Sequence, residues 1–437
     1  NDEMMFVLKT YIKSLLESQK NLPLLALYTS LLSPTDMLVN TYVSCCLLDS
    51  VNNSKDDDYN DIAATRRMML DLARKHFADG LDLIILRRVV KSILDEPDDD
   101  NEYAVVTAAL LNSTEVSITC SDLRKLQAIQ WLCFYPEHRL DGIVFANALL
   151  RRLLLQVSAG EDVFTLIKDT DKLAVCKCFI GGFFPPDSRA VAEGFVKAFN
   201  SNDEGNEYSS FTSDFICSAV VAEHSALIAF LEAHQAYEEW CSVITSCEQN
   251  QPPLWSPLLP LANSGWNAAE KEIASQQEYR SYRNKMASLA RTVFRTTETT
   301  QKKLLHVLEF PGGWLDYQVC GVSNIMQDNI PEEWALERRE TEMFSLQEFC
   351  IFRSLIMLHS VLDGTSSWVG RFSAGIDVAQ ERDLLHGFVD LLSTECWYRK
   401  CMELSKLVLD RDLQKHIPRE QLKVFLKLMA ESAVNLV

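Results

Sequence analysis

Apolar residues recur along this chain at steps of three and four, with polar residues filling the intervals. Met5, Leu8, Ile12, Leu15 and Leu16 form one stripe at helical spacing. Asn21 and Pro23 interrupt it, and Leu24 to Leu32 reads as a short second helix. Ser33-Pro34-Thr35-Asp36 is a start signal, with Ser33 as cap and Pro34 in the first turn of a helix that aligns Leu38, Tyr42 and Cys45. Met69, Leu72, Ala73 and His76 share the next face, Gly80 stops it, and Ile85, Val89 and Ile93 mark another helix. Leu126, Ile129 and Cys133 follow. Phe145, Leu149, Leu150, Leu153 and Leu154 then make a broad apolar band crossed by Arg151 and Arg152. The pattern continues without a strand-like interlude.

Further along, Gly181 to Asp187 and Ser201 to Ser210 read as loops ahead of a long helix with the stripe Phe230, His234, Tyr237, Cys241 and Ile244. Gln251 to Gly265, rich in Pro, is a linker-like loop. It divides a trunk-like segment, 1–250, from a C-terminal tail segment, 266–437. Trp266 to Phe310 is helical again, and Gly312-Gly313-Trp314 is a turn. Amphipathic helices joined by short loops predict an all-α protein of stacked antiparallel helix pairs. None of the fixed periods of the known repeat families is present, so the expected architecture is an irregular helical solenoid.

The last helices carry the most information about partners. Trp397, Cys401, Leu404 and Val408 form one core-facing stripe. On the final helix Leu422, Phe425, Leu426, Met429, Ala433 and Leu436 are read as one apolar side, with Val424 and Leu428 nearly opposite, beyond Lys423 and Lys427, as a second patch. A second patch needs a second neighbour, either another helix of this chain or a partner protein. The expected partner surface is the pair of helices Trp397 to Leu409 and Arg419 to Val437. Val424, Leu428, Leu404 and Leu407 contribute to it, and Trp314 is an aromatic anchor nearby.

Composition narrows the function. Gly and Pro number 15 and 13 in 437 residues, about half their usual share of roughly 12%, which suits helices better than tight-turned strands. The formal net charge is −19, so most of the surface repels a nucleic-acid backbone and no direct nucleic-acid binding is expected. The acidic runs Asp56-Asp57-Asp58 and Asp95 to Asp100 lack the Gly and closing Glu of a calcium loop and read as solvated loops. The best apolar run, Phe215 to Leu231, is interrupted by Glu223 and His224, so no transmembrane segment is expected. The chain opens on Asn1-Asp2-Glu3 without initiator Met or signal peptide, which reads as part of something longer.

Thirteen cysteines contain no Cys-x-x-Cys pair, the closest spacings being Cys45-Cys46 and Cys176-Lys177-Cys178. They read as small buried hydrophobes in a reducing compartment, where the sequons at Asn52 and Asn112 are accidental. Nucleophile elbow, phosphate loop and His-Glu-x-x-His are all absent, and His76 and His234 sit on apolar faces as core residues. No catalytic, metal or cofactor site is expected.

Several stretches in order carry a family likeness. They are Tyr11-Ile12-Lys13-Ser14-Leu15 to Leu27-Tyr28-Thr29-Ser30; Ala128 to Leu132 with Asn147 to Arg151; Phe230 to Trp240; Gly312-Gly313-Trp314; and Arg419-Glu420-Gln421-Leu422 through Glu431-Ser432. In these the chain resembles the nucleoporin 107 family of the Y-shaped nuclear-pore scaffold, in its middle and C-terminal portion. Pro311 stands where that family usually has an acidic residue, and 95–119, 181–210 and 319–340 look longer or different. The resemblance implies a non-enzymatic scaffold of the nuclear pore complex at the nuclear envelope, serving nucleocytoplasmic transport. It implies a joint with nucleoporin 133 through the C-terminal tail, and one with nucleoporin 96 through the region N-terminal to this chain. Two other readings of the residues stay open: a helical-solenoid scaffold of a vesicle coat or tethering complex, and an all-α enzyme whose site is cryptic.

Overall fold

The structure is a computed structural model and describes residues 2–18, 22–32, 35–52, 59–78, 80–96, 103–107, 115–133, 139–160, 173, 175–176, 207–250, 268–315, 336–373, 391 and 393–435. The stretches 56–58, 181–187 and 251–265, expected to be loops, lie outside these residues, as do Ser33 and Pro34. The fold is all-α in class, with twelve α-helices among the described residues. They fall into two compact units. The first comprises 1–157, 169–224 and 325–333; the second comprises 158–168, 225–324 and 334–437.

The first unit opens with α1 (Asp2–Ser18), α2 (Leu22–Thr29), α3 (Thr35–Asn52), α4 (Tyr59–His76) and α5 (Leu81–Leu94). Pro23 lies inside the first turn of α2 rather than before it, where its missing N–H costs no helical bond. Gly80 is the N-cap of α5, with φ 82°, so the residue read as a stop also begins the next helix. The side chains of α5 follow their expected register, with Ile85, Val89 and Ile93 buried. Across α3 and α4, the Tyr42 hydroxyl donates to the Met69 carbonyl at 2.8 Å.

A difference from the sequence reading follows α5. Residues 103–107 (β1, Tyr103–Thr107) and 115–119 (β2, Glu115–Thr119) form an antiparallel hairpin, with Tyr103 opposite Thr119 and Thr107 opposite Glu115. Val105, Val106, Thr107, Val116, Ile118 and Thr119 are β-branched, and five residues are too few to show a helical period. Thr119 ends the hairpin and caps α6 (Cys120–Leu132), its hydroxyl accepting from the Asp122 amide at 3.1 Å and donating to the Asp122 carboxylate at 2.7 Å.

α7 (Arg139–Gly160) and the start of α8 (Glu207–Asn250) supply the polar centre of this unit. α8 begins at Glu207, so the last residues of the expected loop 201–210 are helical. Arg151, the cation that crosses the apolar band of α7, is 2% exposed and ion-paired to Glu223, which is 1% exposed. One turn away Asn147 donates from Nδ2 to the Val220 carbonyl at 3.1 Å, leaving its Oδ1 to accept from His224 Nδ1 at 2.8 Å. That pairing puts the His224 proton on Nδ1. Burial, opposed by the weaker effect of the Glu223 charge, takes the His224 pKa down to about 4.

The second unit contains the rest of α8, then α9 (Ala268–Leu308), α10 (Leu336–Ser373), α11 (Thr394–Asp410), a 3-10 turn (Leu413–His416) and α12 (Arg419–Val434). α10 packs against α9, α11, the 3-10 turn and α12. Its residues from Ile351 to His359 are buried without interruption. Gly364 is required by a close approach: a Cβ there would lie 2.7 Å from the Trp240 ring. That ring cannot yield freely, because Trp240 Nε1 donates to Thr297 Oγ1 at 3.0 Å and Thr297 in turn bonds Thr365 at 3.1 Å.

Two outcomes test the polar centre of the first unit. Glu223→Ala strands a buried guanidinium and lowers stability by about 3–5 kcal/mol, whereas Arg151→Met combined with Glu223→Leu recovers most of that loss, read by denaturant unfolding. Between pH 6.5 and about 4 the unfolded chain takes up a proton that buried His224 refuses. Stability therefore falls by up to about 3 kcal/mol as pH drops through that window, then levels off below it. His224→Gln removes this component, so its melting temperature depends less on pH between 6.5 and 4 than that of the parent chain.

Candidate functional site

The tail is built on α11 and α12, which pack on each other and on α10. Trp397, Cys401, Leu404 and Val408 are the four buried residues of α11, as their spacing predicts. The Trp397 indole donates to the Leu391 carbonyl at 2.7 Å and its ring stacks on Phe294 of α9 at 6.1 Å. On α12 the buried residues are Phe425, Met429 and Ser432, and the Ser432 hydroxyl bonds His359 Nε2 of α10 at 2.9 Å. Burial pushes the Cys401 thiol up to about 12. The described cysteines are free thiols, and several more of them are buried, including Cys45, Cys46, Cys247 and Cys350.

The five residues expected at a partner surface separate into three environments. Leu404 is 4% exposed and belongs to the core. Trp314 is 3% exposed: its indole donates to the Ala226 carbonyl at 2.7 Å, and its ring lies 5.9 Å from Phe230. Its own carbonyl accepts from Gln347 Nε2 at 2.9 Å. Both side chains are thus enclosed by this chain's own helices. Leu407, Val424 and Leu428 are half-buried.

The turn before Trp314 explains its placement. Gly313 donates to the Phe310 carbonyl at 2.9 Å, and Gly312 has φ 81°. Pro311 then occupies the second position of a type II turn, where its fixed φ fits, and Gly312 the third, where a positive φ is needed. Pro311 thus fits the tight turn that precedes the enclosed indole.

The apolar side of α12 is centred differently from its sequence reading. Leu426, assigned to the core side, is 53% exposed. Measured at 100° per residue from Phe425, the deepest position, Leu426 lies about 100° to one side, while Leu428 and Val424 lie about 60° and 100° to the other. Val424 and Leu428 therefore flank the contact face and do not oppose it. The most exposed apolar side chains of the tail are Leu409 at 63%, Leu426 at 53% and Val434 at 73%, a set that only the location of the helix axis reveals. A second apolar area lies on α1, α2 and the turn after α2, where Met4, Val7, Leu27 and Leu31 are exposed and Tyr11 meets Tyr28 edge-on at 4.9 Å.

A surface hollow of about 330 Å³ beside α11 is lined by Ser393, Glu395, Cys396, Arg399, Lys400 and Glu403. Within it Arg399 pairs with Glu395 at 2.5 Å, while Lys400 lies over the Trp397 ring. Among the described residues no group of three or more His, Cys, Asp or Glu side chains is arranged to hold a metal ion. Among those residues no helix is long and apolar enough to cross a membrane. The buried histidines serve packing, as His234 does by accepting from Arg353 at 3.2 Å through Nε2.

Helices enclosing helices, with polar groups bonded to one another inside, define an all-α helical framework among the described residues. The family described as nuclear pore protein 84 / 107 matches residues 1–433, and the chain belongs to that family. It is similar to the nuclear pore complex protein Nup107 of Mus musculus, 26% identical over 410 residues, which cover 93% of this chain and 37% of that protein. The Homo sapiens Nup107 is 24% identical over the same shares, and that of Drosophila melanogaster is 21% identical over 272 residues, 62% of this chain and 28% of the relative. The chain thus covers 37% of the length of the two mammalian relatives and 28% of the Drosophila one. That family is one of nuclear-pore proteins.

Trp314→Ala distinguishes an enclosed side chain from a surface anchor. It should lower stability by about 3–5 kcal/mol, measured by denaturant unfolding, and Trp314→Phe, which keeps the ring packing and loses the indole bond, should cost clearly less.

Proposed function

We propose that this chain is a scaffold segment of the Y-shaped complex of the nuclear pore, built as an irregular solenoid of stacked antiparallel helix pairs. It joins partner nucleoporins by surface contact. The family match along residues 1–433 carries this reading, because the family is one of nuclear-pore proteins. In this reading the tail of nucleoporin 133 docks on α11 and α12, and nucleoporin 96 meets a region N-terminal to the residues present here. In the same reading 1–250 is a trunk-like segment and 266–437 the tail segment that carries the joint with nucleoporin 133.

Support for the tail joint comes from its surface. Leu409, Leu426 and Val434 leave aliphatic area in water on the two helices, and Leu407, Val424 and Leu428 are half-buried there. Single exposed aliphatics are ordinary, but several on adjoining helices supply apolar area whose burial favours association.

Binding of purified nucleoporin 133 tail, followed by calorimetry, tests the joint. Leu409→Asp with Leu426→Asp should weaken binding by about a hundredfold or more, since charges are driven into an apolar contact. The melting temperature should stay nearly constant, because both side chains are exposed in the free chain. Val424→Asp with Leu428→Asp should also weaken binding, with a loss of stability added by their half-burial. A folded Leu409/Leu426 double variant that binds as well as the parent would remove the joint from this surface.

A further inference from the structure

The formal net charge of −19 conceals one helix face of the opposite sign. Between Arg280 and Lys303, α9 carries seven basic side chains and one acidic one. Arg280, Arg291, Arg295 and Lys302 are all exposed. At 100° per residue they fall within about 60° of one another, along a rise of about 33 Å. The other side of the helix is committed inward: Met286, Ala290, Val293 and Leu304 are buried, and Phe294 meets Trp368 of α10 edge-on at 6.2 Å. The stripe therefore faces solvent by construction. α11 extends it, since Lys400 lies over the Trp397 ring at 4.4 Å beside Phe294. The single acid on this stretch, Glu298, is held below the usual carboxylate range first by its 2.8 Å pairing with Lys302 and also by the charge of Lys400.

Three classes of anionic partner fit a row of cations, and the surroundings separate them. Single-stranded nucleic acid is held by aromatic stacking between the cations. This face instead interleaves them with exposed Asn284, Ser288 and Thr299. An anionic bilayer is held by a helix that lowers its apolar side into the lipid, and here that side is inside the protein. A membrane or a long polyanion is also broad enough to confront the remaining negative surface of the chain within a Debye length of about 8–10 Å. A narrow segment lying along the helix meets the stripe alone. The arginines suit carboxylates, which the planar guanidinium grips with two parallel bonds.

We infer that this face of α9 docks an acidic, Asp- and Glu-rich segment of a partner protein. The surface is separate from the apolar tail contact, and the two are removed by different substitutions.

Fluorescence anisotropy of a labelled poly-glutamate peptide tests the assignment on the full chain. The peptide should bind the parent protein with affinity that falls as salt rises. Arg295→Glu with Lys302→Glu should weaken binding by about tenfold or more, and Arg295→Gln with Lys302→Gln by an intermediate amount. Lys423→Glu with Lys427→Glu, an equivalent change of charge on α12, should leave binding within about twofold. Circular dichroism and the melting temperature confirm that each variant is folded, and the glutamine pair serves if the glutamate pair is not. Peptide binding that is absent, or unaffected by both pairs, overturns the inference. It is overturned equally if a single-stranded oligonucleotide or a phosphatidylserine vesicle binds this face more tightly than the peptide. Sedimentation showing a dimer that the Arg295/Lys302 variants dissolve would give the face to a second copy and overturn it as well.

Discussion

The second unit depends on keeping α10 out of water on every side. A helix with one apolar stripe needs one neighbour; a helix buried continuously from Ile351 to His359 needs neighbours all around it. α9, α11 and α12 pack against it, and the residues that bond or touch it include His234, Tyr237 and Trp240 of α8. Its polar side chains are placed where those neighbours offer partners. Arg353 donates to His234, His359 bonds Ser432, and Thr365 bonds Thr297. Each bond is worth little net, but losing one partner inside leaves the other desolvated, so the bonds fix which neighbour sits at which height. Gly364 completes the arrangement by leaving room for the Trp240 ring.

In the first unit one buried pair performs a similar selection. Arg151 and Glu223 could each be replaced by apolar residues of like size without loss of burial, and such replacements are often neutral or stabilising. What the pair adds is discrimination: any sliding of α8 along α7 separates the charges inside a dry interface. Asn147, bonding Val220 and His224 one turn away, repeats the constraint with neutral groups. Two independent polar contacts one turn apart define register more sharply than an aliphatic seam, in which neighbouring leucines are interchangeable.

What could be read from the sequence divides along the same physical line. Helices with a single core stripe were legible: α11 buries Trp397, Cys401, Leu404 and Val408, and α5 buries Ile85, Val89 and Ile93. The turn at Gly312-Gly313 was legible because positive φ selects glycine. Direction was harder. Trp314 looks like an exposed anchor until its indole is seen bonded to Ala226, a residue 88 positions away. Leu426 looks like core because helical periodicity gives spacing without giving the centre of the buried face. The hairpin at 103–119 was hidden by its brevity and by neighbouring acid and Asn. Arg151, Glu223 and His224 were visible only as interruptions in apolar runs; their partnership is a tertiary fact no local pattern contains.

The acidic balance of the chain bears on how a scaffold of this kind assembles. Two proteins of like charge repel at distance, so an apolar contact alone would form slowly and, once formed, would respond little to salt. A basic stripe on a chain of net charge −19 reverses the sign locally. It speeds approach of an acidic segment in one orientation and gives that contact a steep dependence on ionic strength. The exposed aliphatics on α11 and α12 and the cations on α9 thus supply different properties within one unit, the former persistence and the latter orientation. Neither needs a reactive group, and within the same helical framework Arg353 bonds His234 and His359 bonds Ser432.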